Sequence, residues 1–252
     1  MRVASTTVRA AAVAAAFFLA GGASAQTKSD WYVQLGIGGI QKPDYPGAEG
    51  SNATLWPFFY INWKDIVEAD HHDGVRINVY STRNLKVGLQ ATTQWPANRP
   101  RKLTDVDYPL EVGPYVSFFF DNWKFDVGLR QDILDQHGGY VADFGVTYGA
   151  KLRDMPLRFE IQPKLTYVSD DYNQSYHGVT ARERTLTGYT RKSPDGGLHD
   201  FSLKGKLYYD FTPNWTMEVF MQVIKLMGDA ADAQITKDEV NYVTGIGIMY
   251  RF

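Results

Sequence analysis

The end of the chain constrains the fold most. Residues 241–252 read N-Y-V-T-G-I-G-I-M-Y-R-F. Tyr242, Thr244, Ile246, Ile248, Tyr250 and Phe252 fall on one face of a strand, and Val243, Gly245, Gly247, Met249 and Arg251 on the other. One face is apolar and rimmed by aromatics; the other is small or charged. A strand with lipid outside and a polar lumen inside alternates in this way, with about 10 residues per crossing.

The same period of two returns along the chain. Leu85, Val87 and Leu89 alternate with Lys86, Gly88 and Gln90. Trp123, Phe125, Val127 and Leu129 alternate with Lys124, Asp126, Gly128 and Arg130. Residues 140–149, 157–167 and 201–211 repeat the pattern, and 31–40, 110–120 and 215–227 show a looser form. Sustained alternation is the signal of half-buried strands. The spacing predicts an all-β, antiparallel up-and-down transmembrane barrel of about 12 strands, or ten if the short pair at 66–80 does not span. A periplasmic β-sandwich is the competing fold, since it too would use many aromatics.

Residues 1–25 fit a secretory leader. Arg2 and Arg9 precede an Ala/Phe/Leu core, and Ala23-Ser24-Ala25 offers a small-residue cleavage site. A single barrel domain is then expected over 26–252. The chain has no Cys, which excludes disulfides and lipoprotein anchoring. Losing two Arg and no acids moves the net charge from −2 to −4, which argues against a nucleic-acid partner. No apolar run of about 20 residues follows the leader, so spanning helices are not expected.

Expected connections alternate between short turns at 64–65, 121–122, 153–156 and 212–214 and longer loops at 41–53, 95–108, 170–198 and 228–240. Outer-membrane barrels keep short turns in the periplasm and longer loops outside, which would put both termini in the periplasm. Asn62-Trp63, Asn122-Trp123 and Asn214-Trp215 each place a Trp beside a short turn, where an aromatic girdle is expected. A sandwich has no reason to sort its loops this way.

The inward positions carry both signs of charge, including Arg130 and Asp132, Asp143, Arg158, Glu160 and Lys164, and Lys204 and Lys206. Unpaired buried charges are costly, so these should pair across a narrow lumen. A salt-bridged filling is favoured over an open pore, because a barrel this small leaves little free space.

All five His, at 71, 72, 137, 177 and 199, fall in or beside the longer loops with acids nearby. Asp170, Asp171, Tyr172, Tyr176 and His177 open the longest loop and are candidates for contact with a ligand or partner. The plain alternative is a loop folded over the mouth and tied down by its Tyr residues. Asp/His groups at the lip also raise a hydrolase reading or a divalent cation. His71 and His72 would point opposite ways on a strand and read as part of a turn. No spacing matches a metal motif, and no metal, cofactor or catalytic residue is assigned.

Several segments together resemble the MipA/OmpV family (MltA-interacting protein). They are Asp44-Tyr45-Pro46-Gly47-Ala48, Leu129-Arg130-Gln131-Asp132 through His137-Gly138-Gly139, and Ser169-Asp170-Asp171-Tyr172 through Tyr176-His177-Gly178-Val179-Thr180. Residues 226–232 (L-M-G-D-A-A-D) and the terminal Tyr250-Arg251-Phe252 complete the set. His177 stands where Phe is usual. The terminal Phe252 also resembles the signature by which the barrel-assembly machinery recognises outer-membrane chains.

The resemblance implies a non-enzymatic barrel in the cell outer membrane, in contact with the lipid bilayer and lipopolysaccharide. It further implies a scaffold linking a murein lytic transglycosylase to a penicillin-binding protein, with adhesion or stress responses in other members. A partner would grip the short turns, the rim or residues 26–30. A narrow solute channel, an adhesin and a lip hydrolase are the alternatives.

Overall fold

The computed structural model describes residues 30–252 apart from Arg101, so the expected leader over residues 1–25 lies outside the described residues. Twelve strands form one closed antiparallel barrel. They are β1 (Trp31–Pro43), β2 (Ser51–Trp63), β3 (Val67–Asp70), β4 (Gly74–Ser81), β5 (Leu85–Thr92) and β6 (Glu111–Phe120). Then follow β7 (Trp123–Asp132), β8 (Tyr140–Lys151), β9 (Leu157–Val168), β10 (Gly197–Asp210), β11 (Trp215–Leu226) and β12 (Val240–Arg251). The last strand closes on the first, with Gln34 opposite Arg251 and Gln41 opposite Thr244. The short pair at 66–80 belongs to the wall, which settles the count at twelve rather than ten.

The alternation sorts the two faces as expected. Ile37, Leu55, Val79, Val127 and Ile246 are exposed on the outside. Gln34, Gln90, Glu111, Arg130, Ser202 and Glu218 are buried inside. A soluble sandwich buries its apolar face, so this inside-out distribution rejects that alternative. At the short-turn end Trp31 stacks on Trp63, Trp123 packs on Tyr148, and Trp215 packs on Tyr250, with ring centroids 5.6, 4.8 and 5.0 Å apart. These pairs form the aromatic girdle. The β2–β3 turn is tight because Lys64 and Asp65 both take positive φ, at 53° and 55°.

Three boundaries differ from the sequence expectation. Ladder pairing carries β1 to Pro43 and β2 back to Ser51, so the loop expected at 41–53 shrinks to 44–50. Pro57 sits within β2 opposite Ile37, beyond the reach of β3, where a missing N–H on that side interrupts no ladder. The loop expected at 170–198 contains α1 (Asp170–His177) and α2 (Ala181–Thr187), and β10 begins at Gly197. A single turn, α3 (Gly228–Ala231), follows β11.

The shortness of β3 shapes the interior. It pairs only with residues 60–63 of β2. The turn at 71–73 then projects into the lumen, anchored by the His71 N–H donating to the Phe59 carbonyl at 3.3 Å. Phe58, fully buried, lies inside the barrel with its ring 4.4 Å from that of His71. It fits because Gly38 and Gly247 supply a floor without side chains: a Cβ at Gly247 would stand 2.6 Å from the Phe58 ring.

Candidate functional site

The long-loop end of the barrel is closed by a packed cap. Ser169 starts α1 by accepting from the Tyr172 N–H, and Thr180 with Glu183 forms a capping box at α2. Tyr172 and Tyr176 of α1 pack with Tyr45, Ala48, Ala97 and Val106 from other loops and with Val141 and Val168 from the barrel rim. Leu103, Val179, Ala233 and Ile235 form a second apolar cluster beside them. Arg99 reaches across to Glu183 at 3.6 Å, and Tyr45 donates to the Ile235 carbonyl at 3.0 Å.

The five loop residues expected to meet a ligand separate into two groups. Tyr172, Tyr176 and His177 are buried, so they hold the cap together rather than offering a free surface. Burial raises both Tyr phenols well above their usual range. Burial, then His199 and Arg99, hold the His177 imidazole well below its usual value. Its Nε2 lies 3.1 Å from His199 Nε2, and His199 Nδ1 lies 2.8 Å from Asp200 Oδ2. Asp170 and Asp171 stay exposed at the opposite end of the helix, where Asp170 accepts from the Gly196 N–H at 2.6 Å. Asp170, Asp171 and His177 therefore do not converge. The sequence pattern D-D-Y-x-x-x-Y reflects one buried helix face, Tyr172 and Tyr176 being four residues apart.

Below the cap, charge fills the lumen. Arg130 donates through Nε to Glu111 at 2.9 Å and through a guanidinium nitrogen to Asp143, which Lys164 approaches at 3.5 Å. Glu111, wholly buried, also accepts from Gln94 at 2.6 Å and lies 3.2 Å from His137 Nε2. Nearer the short turns, Lys206 pairs with Glu160 at 2.6 Å, Arg158 with Asp210 at 3.4 Å, and Arg76 with Asp126 at 3.2 Å.

Two residues expected in this network behave differently. Asp132 accepts backbone N–H groups of Leu134, His137 and Gly138 and so folds the 133–139 loop rather than pairing across the lumen. Lys204 makes no ion pair within 4 Å among the described residues; its charge faces Asp73 and Asp70. Glu111 and Glu218 stand out as the deeply buried carboxylates. Their odd/even positions in β6 and β11 already marked them as inward, but their partners come from distant strands that periodicity cannot reach.

Two cavities lie among the described residues. One, of about 560 Å³, opens among Tyr32, Asn62, Lys86, Glu160 and Glu218 toward the short-turn end. The other, of about 300 Å³, lies under the cap among Lys42, Trp95, Arg130, Asp143 and Lys164. His72, Asp73 and Arg76 border both, so the inturned β3–β4 tip is the septum between them. Sequence reasoning missed this feature. The signal was present as two strands too short to reach the other end of the barrel, joined by a His/Asp turn.

Comparison with known proteins finds a family and several outer-membrane proteins to which this chain is similar. The family model for MltA-interacting protein MipA matches residues 35–252. The chain is 24% identical over 124 residues to the outer membrane protein Omp26La of Vibrio anguillarum, covering 49% of this chain and 47% of that protein. It is 26% identical over 126 residues to the outer membrane protein OmpV of Vibrio cholerae serotype O1, with the same coverage of 49% and 47%. The matched part thus spans about half the length of these relatives. Among solved structures, a bacterial polysaccharide outer membrane secretin aligns with a TM-score of 0.44 at 11% identity, covering 87% of this chain and 97% of that one.

Proposed function

The chain belongs to the MltA-interacting protein (MipA) family and is an outer-membrane β-barrel protein, and from that premise we propose that it is a non-enzymatic, non-conducting scaffold for envelope integrity. The observation that carries this reading is the narrowing of the lumen at two levels. The cap packs over one end, and the β3–β4 tip with its surrounding ion pairs stands between the two cavities. A barrel filled in this way would act through its surfaces.

In this reading the short turns and both termini face the periplasm and the cap faces outward, next to lipopolysaccharide. The murein lytic transglycosylase and the penicillin-binding protein would dock on the short turns and the Trp31/Trp63 rim. The barrel-assembly machinery would recognise Phe252, whose N–H donates to the Val33 carbonyl at 3.1 Å while its ring stays exposed. One observation favours a second reading, a narrow solute site: the larger cavity, about 560 Å³, is walled by charged and aromatic side chains.

A photo-crosslinking amino acid at Asn122 or Asn214, both in short turns, tests the scaffold. Capture of murein-cleaving and murein-synthesising enzymes from these positions, and not from Leu186 in the cap, is expected. Equal capture from Leu186, or no murein enzyme from either turn, removes the scaffold reading.

A further inference from the structure

The septum places three metal-type donors together. His71, His72 and Glu218 each offer one ligand atom, and these atoms all lie within 4.8 Å of one another. The carboxylate oxygen is 2.6 Å from His72 Nε2 and 3.4 Å from His71 Nε2. The two His are adjacent in sequence and would diverge on a strand. They occupy the turn at 71–73 instead, where both rings face β11. That turn exists because β3 is only four residues long.

Charge accounting at this point is incomplete. Glu218 is buried, with its side chain 1% exposed, and its ion-pair partners among the described residues are the two imidazoles alone. A buried carboxylate needs a compensating positive charge, and neutral imidazole supplies none. His71 Nε2 is itself buried without a hydrogen-bond partner. Its Nδ1 lies 3.1 Å from the Phe59 carbonyl oxygen. The Phe59 N–H also lies 3.3 Å from this Nδ1, so either ring tautomer has a backbone partner, and the one that donates to the carbonyl leaves the Nε2 lone pair free. Such an outer hydrogen bond is how metal-binding imidazoles are oriented. Phe58 and Phe220 pack against the two rings at 4.4 and 4.7 Å, which holds them rigid. The larger cavity reaches all three residues and leaves room for water or an exogenous ligand at a fourth position.

We propose that His71, His72 and Glu218 bind one divalent transition-metal ion, which ties the inturned β3–β4 tip to β11 across the lumen. Two nitrogens and one carboxylate suit Zn²⁺, Co²⁺, Ni²⁺ or Cu²⁺; Ca²⁺ and Mg²⁺ prefer all-oxygen sites. Lys204 and Lys206 of β10 face the turn and disfavour a cation. Lys206 is engaged by Glu160 at 2.6 Å, and Asp70 and Asp73 of the same hairpin offset the remainder.

Tag-free full-length protein, folded in detergent micelles and stripped with a chelator, is titrated with Co²⁺ and with Zn²⁺. Co²⁺ should give visible d–d absorption from nitrogen ligation at one equivalent, and Zn²⁺ should displace it. H71A, H72A and E218Q should each weaken binding at least about 10-fold, the floor set by losing even an outer partner of a ligand. H177A, at the His177–His199 pair in the cap, should bind as wild type. Heat-modifiable migration on gels checks that each variant is folded. A second readout follows from linkage: Zn²⁺ should raise the melting temperature of wild type but not of E218Q. No Co²⁺ signal in folded wild type, binding unchanged in H72A and E218Q, or binding lost only in H177A would each overturn the proposal. The first of these outcomes would leave the site as a hydrogen-bonded His–Glu cluster.

Discussion

Replacing Arg130 by Met tests whether charge pairing, rather than water, fills the lumen. The methionine keeps the length of the apolar stem and removes the guanidinium. Arg130 serves two carboxylates, Glu111 at 2.9 Å and Asp143 through a shorter contact. At an effective dielectric constant near 20, one pair at that distance carries about 6 kcal/mol of gross attraction. Part of this is returned by desolvation, so the net loss is smaller. Asp143 keeps Lys164 at 3.5 Å after the change. Glu111 is left with Gln94 and His137 and no Lys or Arg, while remaining wholly buried. Stranding one buried carboxylate in this way costs about 3–5 kcal/mol. Urea unfolding in lipid vesicles, followed by tryptophan fluorescence, measures it. Adding Glu111→Gln to the same chain removes the stranded charge but keeps acceptors for Gln94 and His137. The double variant should therefore return to within about 2 kcal/mol of wild type. A loss below about 1 kcal/mol for Arg130→Met alone would mean that water and ions already screen these groups, and the filled-lumen account would fail.

Other changes test other parts of the molecule. Gly247→Val drives a side chain into the Phe58 ring, 2.6 Å from its Cβ position, and should cost about 1–3 kcal/mol of unfolding free energy by overpacking. Tyr176→Phe removes a buried hydroxyl without a partner and should be neutral or stabilising, whereas Tyr172→Phe loses a 3.0 Å bond to Gln94 and should cost about 1 kcal/mol in the same assay. Burial pushes the Glu183 carboxyl up, but N–H groups of Thr104 and Thr180, the Thr180 hydroxyl and Arg99 bring it down to about 2. Its stabilisation of the cap is therefore full above the ordinary carboxylate value and fades as pH falls from about 4.5 toward 2. Pepsin cleavage within residues 181–196 should rise over that interval, and Glu183→Gln should flatten the dependence.

The wall of the barrel was legible because lipid and lumen impose opposite chemistries on alternate residues. From Trp123 to Arg130 every inward and outward assignment follows that rule. The ends were less legible. Strand ladders ran on through Pro43 and Ser51 because pairing with a neighbour, not local composition, decides where a strand stops. The cap helices were hidden behind polar loop composition, although Thr180-Ala181-Arg182-Glu183 is a capping-box sequence and could have marked α2. Tyr172, Tyr176 and His177 were recognised as special, but their burial depends on Tyr45, Ala97 and Val106 from separate loops. Of the inner charges, Arg130 and Asp143 lie on adjacent strands and could be paired from register alone. The meeting of His71 and His72 with Glu218 spans nearly 150 positions and arises from an inward hairpin that no periodicity encodes.

The most direct measurement is single-channel recording of the folded protein in planar bilayers. The cap, the septum and the paired charges together predict no conductance steps in wild type, and steps only when residues 71–73 and the cap segment 170–196 are both removed. Discrete steps in wild type would show an open lumen and contradict the sealed-barrel reading on which the scaffold role rests.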